Sequence, residues 1–169
     1  VFWATVAVGG ACISILGFLD DRIGLSSPLR FLAQVVISVA TAYILGPEPA
    51  TDLSTTAYWL NQVLTVVGLV WLINAYNFMD GIDGLAGSVS LMALAWYAGM
   101  AHLTGFADLT VTAVLLCGAL TAFLAFNMRF PWQPGARVFL GDAGSMLLGF
   151  VLAWMAVALT QAPAGKVPP

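Results

Sequence analysis

The stretch 53–79, LSTTAYWLNQVLTVVGLVWLINAYNFM, contains no charged side chain. A helix needs roughly 20 mostly apolar residues to cross the hydrocarbon of a bilayer, and this run exceeds that length. It stops on Asp80-Gly-Ile-Asp83. An apolar run that ends on two carboxylates reads as a membrane helix delivering acid groups to an interface. The fold class follows from whether the rest of the chain repeats that pattern.

It does. Further uncharged runs occupy 1–19, 31–47, 84–107, 109–128 and 143–165. The run 31–47 is short, but Pro28, Leu29 and the aliphatic stem of Arg30 extend it at the interface. The chain is 61% hydrophobic and 8% charged, against about 25% charged in a soluble domain, which excludes an ordinary soluble fold. Backbone groups in lipid must bond internally, and the alternating pattern of a membrane barrel is absent. The expectation is an all-α integral membrane protein. It forms a single transmembrane domain over 1–169, with about six helices near 1–19, 28–46, 57–77, 84–103, 108–127 and 143–160. Pro28 suits a helix first turn, and Ser54, Thr55 and Thr56 are candidate caps. Gly46-Pro47-Glu48-Pro49, Gly105 and Phe130–Gly135 punctuate the chain. Cys12 and Cys117 fall inside spans, so buried free thiols are expected. The opening inside an apolar run, without a basic leader, reads as a fragment rather than a signal peptide.

Alternating crossings place 20–27, 78–83 and 128–142 on one side of the membrane. The other side receives 47–56, 104–107 and the tail. Arg22, Arg129 and Arg137 lie on the first side, with Arg30 just inside it, whereas only Lys166 lies on the second. Basic residues mark the cytoplasmic side. Asp20, Asp21, Asp80, Asp83 and Asp142 share that side, which is five of the eight acidic groups. Glu48, Asp52 and Asp108 lie opposite, where solvation accounts for them.

Three segments concentrate the chemistry. In 17–30, GFLDDRIGLSSPLR, two adjacent carboxylates close a helix, where they repel each other and oppose the macrodipole. Solvation, a cation or a proton must offset that. Neighbouring helical positions point about 100° apart, so the two acids can do different work, and Arg30 offers a fork to phosphate. In 74–86, NAYNFMDGIDGLA, Asn74, Asn77, Asp80 and Asp83 recur at every third position. A continuous helix would align them in one polar stripe suited to a hard cation or phosphate. Gly81 and Gly84 would instead break the helix and free backbone N–H groups. In 127–145, Asp142 precedes the last span as a cap or N-terminal acid. Gly141, Gly144 and Ser145 leave room there for an anion.

The blocks GFLDDRIGL, NAYNFMDGIDGLAG and ARVFLGDAGSMLLGF, in this order and spanning nearly the whole chain, resemble the polyprenyl-phosphate N-acetylhexosamine-1-phosphate transferases, glycosyltransferase family 4. Within it the chain looks most like the WecA type, which makes lipid-linked GlcNAc for O-antigen and related envelope polymers. The short spacing from Asp21 to Arg30 and the long Arg129–Arg137 loop favour that type over the MraY type of peptidoglycan synthesis. The resemblance implies a magnesium-dependent phosphoglycosyl transferase, with manganese as a substitute ion. It would pass N-acetylhexosamine-1-phosphate from a UDP-sugar to undecaprenyl phosphate and release UMP. By position, Asn77 and Asp142 match the metal residues. Asp20, Asp21, Asp80 and Asp83 match the catalytic acids. Arg30 and Asn74 match substrate contacts, and Gly81 and Phe139 match positions near the uracil. The partners implied are the UDP-sugar, the lipid phosphate and the bilayer, without nucleic acid and compatible with a homodimer. The location implied is the bacterial inner membrane, with the site facing the cytoplasm. The family's His-rich motif is absent, and His102 lies near the opposite side, so the chain alone is expected to be inactive. The rival readings are a transporter or channel that uses the acids as a cation or proton site, and a scaffold with acidic loops.

Overall fold

The computed structural model describes residues 2–45 and 54–160. Glu48, Asp52, Lys166 and the stop at Gly46–Pro49 lie outside them. Among the described residues six helices form: α1 (Phe2–Ile23), α2 (Ser27–Leu45), α3 (Thr55–Met79), α4 (Leu85–Leu103), α5 (Ala107–Asn127) and α6 (Gly141–Thr160). Among the described residues, β pairing is limited to one isolated bridge between Phe130 and Gln133. The chain is an all-α, multi-pass membrane protein.

Five helices, α1, α2, α3, α5 and α6, are long and apolar enough to cross a membrane. The fourth also carries no charge, but Gly87, Ser88, Ser90, Tyr97 and His102 dilute its apolar content. Large apolar side chains face outward along the spans, including Val36, Tyr43, Val67 and Trp71. In water that pattern would be a liability; in lipid it is the solvated surface. Cys12 belongs to this surface and is exposed, and Cys117 is half-buried, so the expectation of two buried thiols is corrected for Cys12. Trp71 and Trp96 also point outward, whereas Trp154 is fully buried.

The described residues group into two compact units: those up to Asn77 with Gly141–Trp154, and Phe78–Leu140 with those from Met155 to Thr160. In the first, Ile13, Leu69, Ile73, Met146 and Phe150 form a sealed core. Glycines set its helix spacings. A Cβ on Gly17 would stand 2.5 Å from backbone atoms of Asp142 and Ala143, and one on Gly149 would stand 2.5 Å from the Leu72 carbonyl oxygen. Small residues at such crossings let helix backbones approach in lipid, where no hydrophobic force pushes helices together. The enclosed helix is α6, with 61% of its span buried against 17–39% for the other spanning helices.

In the second unit α4 packs along α5, and Gly87 lies under Leu124 and Phe123. The segment after α5 is an ordered loop built around that helix's C-terminus. Helix ends leave carbonyls without partners. Here the Gln133 side-chain amide donates to the carbonyls of Phe126 and Met128, at 2.9 and 2.8 Å. The Arg137 backbone N–H donates to Phe126 as well. Phe130 and Trp132 stack with their rings 5.1 Å apart.

Candidate active site

The end of α1 runs to Ile23, so Asp20 and Asp21 sit in its last turns rather than in the following loop. Their mutual repulsion is resolved by pointing them at different positive partners. Asp20 is buried, accepts from the Leu25 N–H at 2.8 Å and pairs with Arg30 Nη1 at 2.5 Å. Asp21 turns toward α6 and accepts from the backbone N–H groups of Asp142 (3.1 Å) and Ala143 (3.4 Å). The negative end of α1 thus meets the positive end of α6, the favourable arrangement for both dipoles. Gly141 allows it: its φ is +62°, and a Cβ there would fall 2.8 Å from the Asp21 carboxylate.

Asp142 lies in the first turn of α6, one residue inside it rather than ahead of it. Its Oδ1 accepts from Asn77 Nδ2 at 2.6 Å, and its Oδ2 lies 3.4 Å from Arg30 Nη1. The Asn77 amide also donates to the buried Ser145 hydroxyl at 3.2 Å. Four helices therefore bring Asp20, Asp21, Arg30, Asn77 and Asp142 together. Three carboxylates against one guanidinium leave two formal negative charges.

Asn74 lies one turn deeper. Its amide donates to Gln34 Oε1 at 2.7 Å and to the Val70 carbonyl at 2.8 Å. Asn74 also lines an apolar groove of about 590 Å³ between α2 and α3, together with Phe31, Val35, Val67, Val70 and Trp71. Ser145 is the residue that the sequence places beside Asp142 with room for a ligand; Gln34 is not among the candidate site residues that the sequence offers. A Gln inside a span four residues after a membrane-edge Arg was the available signal.

In the second unit the choice between stripe and break is decided. The helix stops at Met79, turns cover 80–84, and Gly84 takes φ +78°. The freed Gly84 N–H donates to the Asn127 side chain at 2.7 Å. Asn127, buried and also bonded to the Val138 carbonyl, ties the turn to the loop after α5. Asp83 accepts from Arg129 Nε at 2.7 Å and from the Ala136 N–H at 3.4 Å. The Arg129 hydrogen bond is the main reason its carboxyl titrates below the usual range, against a smaller desolvation effect that pushes it up. Asp80 is half-buried in the same turn, and Gly81 and Phe139 are exposed.

Glycosyl transferase family 4 matches residues 3–160. The chain belongs to that family. It is 36% identical to a phospho-N-acetylmuramoyl-pentapeptide-transferase of Geobacillus thermodenitrificans, over 85% of the chain and 48% of the relative. A second enzyme of that name, from Staphylococcus saprophyticus, is 33% identical over 87% of the chain and 50% of the relative. A probable undecaprenyl-phosphate N-acetylglucosaminyl 1-phosphate transferase of Bacillus subtilis is 30% identical, over 86% of the chain and 40% of the relative. The chain spans about half the length of the curated relatives it matches.

Proposed function

We propose that the protein of which this chain is a part transfers N-acetylhexosamine-1-phosphate from a UDP-sugar to undecaprenyl phosphate, at the cytoplasmic face of a bacterial inner membrane. The observation that carries this is the convergence of Asp20, Asp21, Arg30, Asn77 and Asp142 at one end of four helices in a family 4 member. Both substrates are anionic, so a site with excess negative charge works on them only with a cation. The donors are hard oxygens. Among the described residues no three His, Cys, Asp or Glu side chains converge as metal ligands. An ion held by one carboxylate and one amide oxygen, with phosphate and water filling its other positions, is the habit of Mg²⁺. Asp142 and Asn77 would hold it. Turning the Asn77 amide over replaces its donor with its carbonyl oxygen. When bound, Mg²⁺ (or Mn²⁺) would neutralise phosphate charge and align the displacement.

The chain's own groups have separable roles in this reading. Arg30 holds Asp20 in place and presents a guanidinium to phosphate. Asp21 fixes the start of α6, and with it Asp142. The apolar groove that Phe31, Val67 and Trp71 line with Asn74 suits a prenyl chain. By the resemblance, Asp80 and Asp83 are further catalytic acids, and Gly81 and Phe139 lie near the uracil. GlcNAc-1-phosphate is the favoured group from the loop spacing. An N-acetylmuramoyl-pentapeptide donor is the second reading, because relatives of that name reach 36% identity against 30%.

The test is the full-length protein in undecaprenyl-phosphate vesicles with magnesium and either UDP-GlcNAc or UDP-N-acetylmuramoyl-pentapeptide. Radiolabelled lipid-linked product and stoichiometric UMP from one donor support the reading and name the sugar. UMP without lipid product, or no turnover of either donor, defeats it.

A further inference from the structure

Beneath the charged layer lies an uncharged one. Gln34 follows Arg30 by four residues on α2, Asn74 precedes Asn77 by three on α3, and Met146 follows Asp142 by four on α6. At these spacings each pair shares a helix face, one turn apart. Gln34 is fully buried. Its Oε1 accepts from Asn74 at 2.7 Å, and its Nε2 lies 3.7 Å from the sulfur of Met146, also fully buried. The Asn74 amide is held against its own helix by the Val70 carbonyl. A buried amide inside a membrane span is costly unless it is used.

We infer that Gln34 is a positioning residue for the set Arg30–Asn77–Asp142. Helices in lipid are set in rotation by packing and interhelical hydrogen bonds. The Gln34–Asn74 bond fixes α3 against α2, and the sulfur contact adds α6. Side chains three or four apart turn together. A rotation of α3 that broke the lower bond would therefore swing Asn77 away from Asp142, to which it is bonded at 2.6 Å. Gln34 acts on the site through the helices that carry it.

The kinetic half of this inference rests on the proposed transfer reaction; the geometric half does not. The variants are made in the full-length protein. Gln34→Met is close in volume and leaves Asn74 its Val70 acceptor, so folding is retained. Gln34→Glu keeps an oxygen toward Asn74. Ser38→Ala is the control, removing a buried hydroxyl with no hydrogen-bond partner one turn further along α2. In the geometric arm each is combined with Asn77→Cys and Asp142→Cys, with every other cysteine of the protein, Cys12 and Cys117 included, replaced by Ala, and the rate of oxidative disulfide formation is followed on gels. Gln34→Met should slow that rate severalfold, whereas Gln34→Glu and Ser38→Ala should leave it near the parent value. In the kinetic arm Gln34→Met should lower kcat by about 10- to 100-fold, the cost of a small misplacement, with KM for the UDP-sugar and the thermal midpoint little changed. Cross-linking at the parent rate in Gln34→Met overturns the inference. So does an equal loss in Gln34→Met and Ser38→Ala that follows the thermal midpoint. If no protein turns over donor but the cross-linking pattern is as expected, the transfer reaction fails and the positioning role stands.

Discussion

Asp142 has a different partner for each oxygen, Asn77 on one and Arg30 on the other, while its backbone N–H is held by Asp21. Its position is therefore fixed from three helices, as a ligand that must meet an ion needs. Asp142→Ala in the intact enzyme should abolish lipid-product formation in the radiolabel assay. Asp108→Ala, in the exposed first turn of α5, should leave turnover near normal. Asp83 offers a pH test. Its carboxyl titrates lower in the folded state, chiefly through Arg129. The pair therefore contributes stability above the unfolded carboxyl value of about 3.9, and that contribution is lost as pH falls through the lower folded value. Thermal midpoints of the parent and Arg129→Gln should differ by a small, constant amount near neutrality and converge in acid. Added salt should also shrink the gap, because Arg129 is largely exposed.

Helix contacts decide how the charged groups meet, and Gly17 and Gly149 make the contacts possible. Gly149→Ala would drive a Cβ into the Leu72 carbonyl and the Ile73 Cα, at 2.5 and 2.7 Å. Backbone cannot step aside as a side-chain tip can, so a cost of about 1–3 kcal/mol is expected. Gly68→Ala, with nothing within 4 Å, should be neutral or slightly stabilising. Thermal unfolding in detergent distinguishes the two. All six helices were legible in the uncharged runs, with ends displaced by a few residues, because apolar length alone dictates a membrane helix. At α1 and α6 the shifts absorb polar groups into the helix, Asp20–Asp21 and Asp142. The pairing of Asp21 with the start of α6, and the Gln34–Asn74 layer, were not legible. They depend on the rotation of helices distant in sequence, and a lone Gln in a span does not reveal which neighbour it faces. Nor could the sequence choose between stripe and break at 80–84, since Gly84 permits a helix as readily as the left-handed turn it takes.

Topology at the scale of the molecule follows from one contact. Asn77 lies in the last turn of α3 and Asp142 in the first turn of α6, and they are hydrogen-bonded, so residues 77 and 142 lie at one membrane face. Between them α5 is apolar enough to span. A single crossing would leave residue 142 on the far side, so a second is required. Only α4 is available among the helices between them, although its hydropathy falls below that of the five clear spans. Ser90 bonds its own backbone at Ala86, and Gly87 packs on α5. The polar content of α4 is thus partly shielded from lipid, which reconciles weak hydropathy with a crossing. The link at residues 104–106 should then open opposite to the acidic groups. In a background with every native cysteine, Cys12 and Cys117 included, replaced by Ala, Ser26→Cys and Ala107→Cys place single thiols at exposed positions on the two expected sides. A membrane-impermeant maleimide added to intact cells should label the thiol at 107 and spare that at 26, and inverted vesicles should reverse the pattern. Labelling of both from one side would mean that α4 does not cross, and the shared face of Asn77 and Asp142 would need another explanation.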